Sequence, residues 1–139
     1  MTPKKADADA DRCVVAGVAC LDAGDLEGAE RYAAAALEAA TAPLAGLEGW
    51  SDWPTTRIMG ELRGVDAVSA FARALWLNAT VDELRGREDQ ARGRCLRAME
   101  LYARRRGPSE AIDLRAAREL GSASARLGAT KFAAAHARR

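Results

Sequence analysis

The sequence has few of the residues from which active sites are usually built. It contains one histidine, His136, and 5% aromatic residues among 139. No two Cys or His residues have the spacing of a metal site, and neither a Walker A nor a G-x-G-x-x-G sequence is present. A Ser-His-Asp or Cys-His arrangement would need His136, which lies beside Arg138 and Arg139. We therefore predict that the protein is not an enzyme, with no catalytic residue, no metal and no cofactor.

Long apolar segments are also absent. No stretch approaches the roughly 20 apolar residues that a membrane-spanning helix needs. Residues 1–6 are polar and begin no signal peptide, so we expect a flexible arm there. The three cysteines, Cys13, Cys20 and Cys95, fit a reducing compartment as small buried residues. These features predict a cytoplasmic protein that does not bind membranes.

Alanine is abundant, with 33 residues. The composition as a whole is 49% hydrophobic and 29% charged residues. Alanine and arginine are strong helix formers, and β-branched residues are few. Apolar residues recur at helical spacing in several segments that are separated by Gly and Pro. We predict an all-α fold of five to six main helices. The helices form one domain over residues 7–139, divided into a hairpin 7–40, a Trp-containing loop insertion 41–64, a hairpin 65–106 and a final hairpin 108–138.

Three glycines, Gly24, Gly86 and Gly128, mark predicted turns between paired helices, and each precedes an alanine by five residues. The first copy, "AGVACLDAGDLEGAERYAAAALEAATAP", carries the pattern best. It resembles the tetratricopeptide repeat, a helix–turn–helix unit of 34 residues. The resemblance implies antiparallel hairpins stacked as a short right-handed array. A helical bundle of no particular family remains the alternative.

The resemblance also implies a binding surface, because the first helix of each pair lines the concave face of such arrays. Arginines in that face would present forked donors to carboxylates. We therefore expect an adaptor or regulatory protein that holds an acidic or extended segment of another protein in a helical groove. The expected groove residues are Arg73, Trp76, Thr80 and Glu83 from the second pair and Arg115, Arg118, Ser122 and Arg126 from the third.

The uneven distribution of charge along the chain allows a second function, nucleic-acid binding. Residues 1–49 carry nine acidic and four basic side chains, whereas residues 50–139 carry eleven acidic and seventeen basic ones. The basic second part could bind nucleic acid, through Arg92, Arg94, Arg97 and residues 104–106, as in a transcription-regulatory helical domain. Helical repeats of this kind occur in bacterial regulators, which suggests a bacterial protein by analogy. The overall net charge of +1 disfavours nucleic acid without excluding it.

Trp50 and Trp53 lie in the insertion, and two roles are open for them. Tryptophan is enriched at binding hot spots, so the pair could form a partner or self-association interface. The core has few aromatic residues, which favours the other role, in which the two side chains seal that core. A short array leaves an apolar end exposed unless it is capped, so we also expect a homodimer.

Overall fold

The computed structural model describes the backbone of residues 3–62, 64–104 and 111–126, and the side chains of residues 8–62, 64–104 and 113–122. Within those ranges the chain forms α-helices and 3₁₀ turns and no strand, which confirms the all-α prediction for this part of the protein. None of these helices has both the length and the apolar character needed to span a bilayer. The helices are α1 (Pro3–Asp22), α2 (Leu26–Ala40), α3 (Thr55–Glu61), α4 (Val65–Leu84), α5 (Glu88–Arg104) and α6 (Ala111–Arg126).

Two of the expected helix pairs are joined by turns with the same hydrogen bonds, 62 residues apart. Gly24 and Gly86 both have φ of +78°, a left-handed conformation that glycine adopts without a steric cost. The next residue then donates back to the helix, from Asp25 N to Cys20 O and from Arg87 N to Asp82 O, at 2.8 Å in each case. This is the Schellman arrangement that ends many helices. Asp25 also caps α2, since its Oδ1 accepts from Gly28 N at 2.9 Å.

Helix α4 lies at the centre of the fold. It packs against α1, α2, α5 and α6, and nearly all of its side chains from Ala67 to Val81 are buried. Trp76 and Phe71 are the largest fully or almost fully buried side chains, at 1% and 2% exposure. The small residues Ala29, Ala33 and Ala36 of α2 are also buried in this core. Helix α4 is therefore the most buried helix in the described part of the chain.

Two polar residues of α4 break the apolar pattern of a repeat, and both have partners. Asn78 donates to the backbone oxygens of Ala33 in α2, at 2.8 Å, and of Ala74 in its own helix. Asp82 is 1% exposed and accepts from Arg87 at 2.9 Å and from Arg94 at 2.6 Å. Buried polar groups are tolerated when they are hydrogen-bonded in this way. These residues connect neighbouring helices where a repeat would pack apolar side chains.

The insertion between the pairs forms α3 and two 3₁₀ turns, Ala42–Leu44 and Trp50–Asp52. Trp50 packs edge-on against Phe71 of α4, with ring centroids 6.2 Å apart. Trp53 also contacts the core and lies under the guanidinium of Arg57, 3.8 Å from the ring centroid. Both indoles are half-buried. This packing favours the sealing role over an open interface.

The boundaries differ from the sequence predictions mainly at the two ends of the chain. Helix α1 begins at Pro3, so most of the expected arm 1–6 lies within this helix. The second helix of the final hairpin, expected to begin at about Thr130 and to contain Phe132 and Ala135, lies outside the described residues, as do His136 and the expected turn at Gly128. Of the expected final hairpin, only α6 therefore lies in the part of the chain that the structure describes.

Candidate functional site

A cleft of the described structure lies over α4, between α1 and α6. Its volume is about 670 Å³. Each of these helices is the first of an expected pair, so the cleft occupies the face on which the groove was predicted. Its lining residues come from the end of α1 (Leu21, Asp22), from α4 (Trp76, Ala79, Thr80, Glu83, Leu84), from α5 (Cys95) and from α6 (Arg115, Arg118, Glu119, Leu120, Ser122).

The base of the cleft is apolar. Trp76, Cys95 and Leu120 are each 1% exposed, and Ala79 is 5% exposed. Leu84, near the end of α4, is 61% exposed although it is a large apolar side chain. Exposed apolar surface beside polar residues is typical of surfaces that bind other molecules.

Arg115 extends from α6 into an acidic environment. Its Nη2 lies 3.1 Å from Asp22 Oδ1 at the end of α1, and its Nε donates to Glu119 Oε1 at 3.0 Å. The hydrogen bond from Arg115, reinforced by its charge, holds the pKa of Asp22 below the usual value. The hydrogen bonds to Asp22 and Glu119 in turn raise the pKa of Arg115, which stays protonated.

Glu119 joins this ion pair to the buried tryptophan. Its second oxygen, Oε2, accepts a hydrogen bond from Trp76 Nε1 at 2.9 Å. Thr80, one turn further along α4, donates its hydroxyl to the backbone oxygen of Trp76 at 3.0 Å. The bond to Glu119 provides the acceptor that the buried indole N–H of Trp76 requires. Asp22, Arg115, Glu119 and Trp76 form one connected chain of polar contacts across three helices.

The structure brings together six of the eight predicted groove residues: Trp76, Thr80, Glu83, Arg115, Arg118 and Ser122. Arg73 is not part of the cleft lining and is 5% exposed. It pairs with Asp11 of α1 at 2.8 Å and with Asp113 of α6 at 3.1 Å. The expectation of an accessible Arg73 is therefore corrected, because two carboxylates from neighbouring helices enclose its guanidinium. The side chain of Arg126 lies outside the described residues.

The cleft is also less cationic than the groove predicted from the sequence. The described lining contains three acidic residues, Asp22, Glu83 and Glu119, against two basic ones, Arg115 and Arg118. Arg115 is occupied by two of these carboxylates, whereas Arg118 is exposed. The sequence could not reveal Asp22 and Glu119 as lining residues through the repeat pattern alone. Of these two residues, only Glu119 could have been suggested by the local sequence, because it lies four residues after Arg115 on the same helix.

The arginines proposed for nucleic acid are largely engaged by the protein itself. Arg94 binds Asp82, and Arg92 binds Asp89 at 3.1 Å. Arg97 donates to the backbone oxygen of Trp53 at 2.8 Å and to Thr55 Oγ1 at 3.0 Å, beside a smaller cavity of about 410 Å³. Arg104 is exposed, and residues 105–106 lie outside the described ranges. Arg92, Arg94 and Arg97 thus each have a partner within the protein, and binding of nucleic acid through them stays a prediction.

No set of three or more His, Cys, Asp or Glu residues in the described ranges is arranged to hold a metal ion. Comparisons with protein-family models, with curated proteins and with solved structures each found no match.

Proposed function

We propose that the protein is a binding module that holds an extended segment of another protein in the cleft between α1, α4 and α6. The observation that supports this best is the cleft itself. It combines an apolar base, a highly exposed Leu84 and charged side chains at its edge, within a volume of about 670 Å³. Binding sites typically have this mixture of apolar lining and a few polar groups that fix orientation.

The packing order of the helices supports a repeat-like array as the scaffold. Helix α4 packs on both members of the preceding pair, α1 and α2. Helix α6 packs in the same way on both α4 and α5. In stacked repeats each unit contacts its neighbour, and the array presents an extended concave surface. The equivalent turns at Gly24 and Gly86 agree with this arrangement. A tetratricopeptide-like array is therefore part of the proposal.

The side chains that line the cleft suit a wider range of partners than the acidic segment expected from the sequence. The base of the cleft is suited to one apolar side chain, which would lie against Leu84 and Ala79. Arg118 is exposed and available to a carboxylate or a backbone oxygen of the partner. Because acidic side chains also border the cleft, we propose a partner segment with an apolar anchor and charges of both signs.

The experiment is a selection of displayed random peptides on the wild-type protein, followed by affinity measurement on cleft variants. Thr80→Trp would fill the cleft and is expected to lower the affinity at least about tenfold, the effect of roughly 1.4 kcal/mol. Thr56→Trp is the matched control, because Thr56 is exposed on α3 and does not line the cleft. Arg118→Glu tests the charge at the edge. Equal affinity of the Thr80→Trp and Thr56→Trp variants would contradict binding in the cleft.

A further inference from the structure

The ion pair between Asp22 and Arg115 joins two helices that lie on either side of the cleft. Asp22 is the last residue of α1, and Arg115 is in the first half of α6. Both helices pack on α4, whose side chains form the base of the cleft. A side-chain bond from α6 to α1 therefore passes over α4 and spans the cleft.

Arg115 is held in this position from both sides. Its Nη1 and Nη2 approach the two oxygens of Asp22 at 3.4 and 3.1 Å, in the forked geometry of a guanidinium–carboxylate pair. Its Nε binds Glu119, which is itself fixed by Trp76 Nε1. The position and direction of the Arg115 side chain are therefore set by residues of α1, α4 and α6.

The pair is nevertheless accessible to water. The Asp22 side chain is 60% exposed, and that of Arg115 is 39% exposed. Exposed ion pairs contribute little net stability and are weakened by salt. A contact of this kind can open without unfolding the helices that carry it.

Resting on the proposed function, we infer that the Asp22–Arg115 pair is a strap across the cleft that must open before a partner segment can reach Ala79, which is 5% exposed at the base of the cleft. The strap excludes weak or poorly matched ligands from the apolar base. A productive partner replaces the contact of Arg115 with Asp22 by contacts of its own. Affinity for the cleft is therefore lower than its apolar surface alone would give.

The test uses the full chain and 8-anilinonaphthalene-1-sulfonate, an anionic dye that binds exposed apolar surface. Asp22→Ala and Arg115→Gln change the protein charge in opposite directions, but both open the strap. We expect both to raise the dye affinity by roughly two- to fivefold, the range of a weak exposed pair. The double variant is expected to match the single ones, and added salt should raise the affinity of the wild type alone.

Controls separate the strap from simple charge effects. Arg118→Gln removes a positive charge from the same cleft without touching the strap, and is expected to lower the affinity of the anionic dye or leave it unchanged. Asp52→Ala removes an exposed negative charge outside the cleft and is expected to have no effect. Far-UV circular dichroism checks folding, and Arg115→Met, which also removes the charge, replaces Arg115→Gln if the latter unfolds.

Two outcomes would overturn the strap. If Asp22→Ala raises and Arg115→Gln lowers the dye affinity, charge alone explains the result. If neither variant changes it, the pair does not restrict access. The dye reports on the strap independently of any peptide. A strap that opens as expected, together with peptide binding that Thr80→Trp leaves unchanged, would reject the proposed function and retain the strap.

Discussion

Arg73 Nη1 donates a hydrogen bond to Asp113 Oδ1 at 3.1 Å, between side chains that are 5% and 2% exposed. The same guanidinium binds Asp11 of α1 through Nε and Nη2. One arginine of α4 thus connects α1 and α6, the two helices that border the cleft. This contact holds α1 and α6 to α4, although none of its three residues is part of the cleft lining.

We predict that Asp113→Ala destabilises the protein by about 1–3 kcal/mol, because Arg73 keeps Asp11 but its Nη1 loses its buried acceptor. Chemical denaturation followed by circular dichroism measures the free energy of unfolding. Replacing both members, as Arg73→Met with Asp113→Leu, is expected to cost much less, since an apolar pair needs no compensation. A double variant as unstable as Asp113→Ala would contradict this account.

The parts of this fold that could be predicted are those determined by residues close together in the sequence. The turns at Gly24 and Gly86 and the bounds of α2 follow from residues within a few positions of each other. Local glycine and cap chemistry determines such features, so the sequence was sufficient. The groove residues of α4 and α6 were predicted from the resemblance to stacked helix pairs, in which the first helix of each pair lines the groove.

The failure at Arg73 has a different origin. Its partners, Asp11 and Asp113, are 62 and 40 residues away. An arginine on a helix is usually exposed, and nothing near Arg73 in the sequence shows that two carboxylates would enclose it. The same holds for Asp22, which is 93 residues from Arg115. Long-range pairing of charges decided which arginines remained available, and spacing within one helix carries no information about it.

The two turn glycines should be more sensitive to substitution than a glycine inside a helix. Gly24→Ala or Gly86→Ala is expected to cost about 1 kcal/mol or more, because a side chain is strained at φ of +78°. Gly93→Ala is the matched control, since its Cβ would have no close neighbour within α5. It should stabilise the protein by about 0.5–1 kcal/mol through helix propensity. Equal effects at all three positions would argue against the turn geometry.

Gly17 allows α1 to approach α4 closely. An added Cβ would lie 2.6 Å from Leu77 Cδ2 and 3.3 Å from Tyr32 Cβ. Leu77 is fully buried, so its side chain has little room to move. We predict that Gly17→Ala costs about 1–3 kcal/mol despite its better helix propensity. In a double-mutant cycle with Leu77→Ala, the two losses should be less than additive, with a coupling of about 0.5–3 kcal/mol. Strict additivity would show that these positions do not meet.

The carboxyl group of Asp22 offers a direct measure of its contact with Arg115 in solution. Arg115 holds the pKa of Asp22 below its usual value of 3.8, so the pair stabilises the fold above that pH and loses its effect as the pH falls through the lowered pKa. Glu119 also faces Arg115, so its carboxyl resonance is recorded in the same ¹³C NMR experiment. We expect Arg115→Gln to return the pKa of Asp22 towards the usual value.

Glu30 provides the control for this titration. Its pKa is lowered in the same way by a hydrogen bond from Arg87, at the turn between α4 and α5 and away from the cleft lining. Arg115→Gln should leave the pKa of Glu30 low, whereas Arg87→Gln should raise it and leave Asp22 unchanged. If Arg115→Gln leaves the pKa of Asp22 where it was, the two side chains are not paired in solution. The cleft would then be open, and its affinity for apolar ligands would be set by its surface alone.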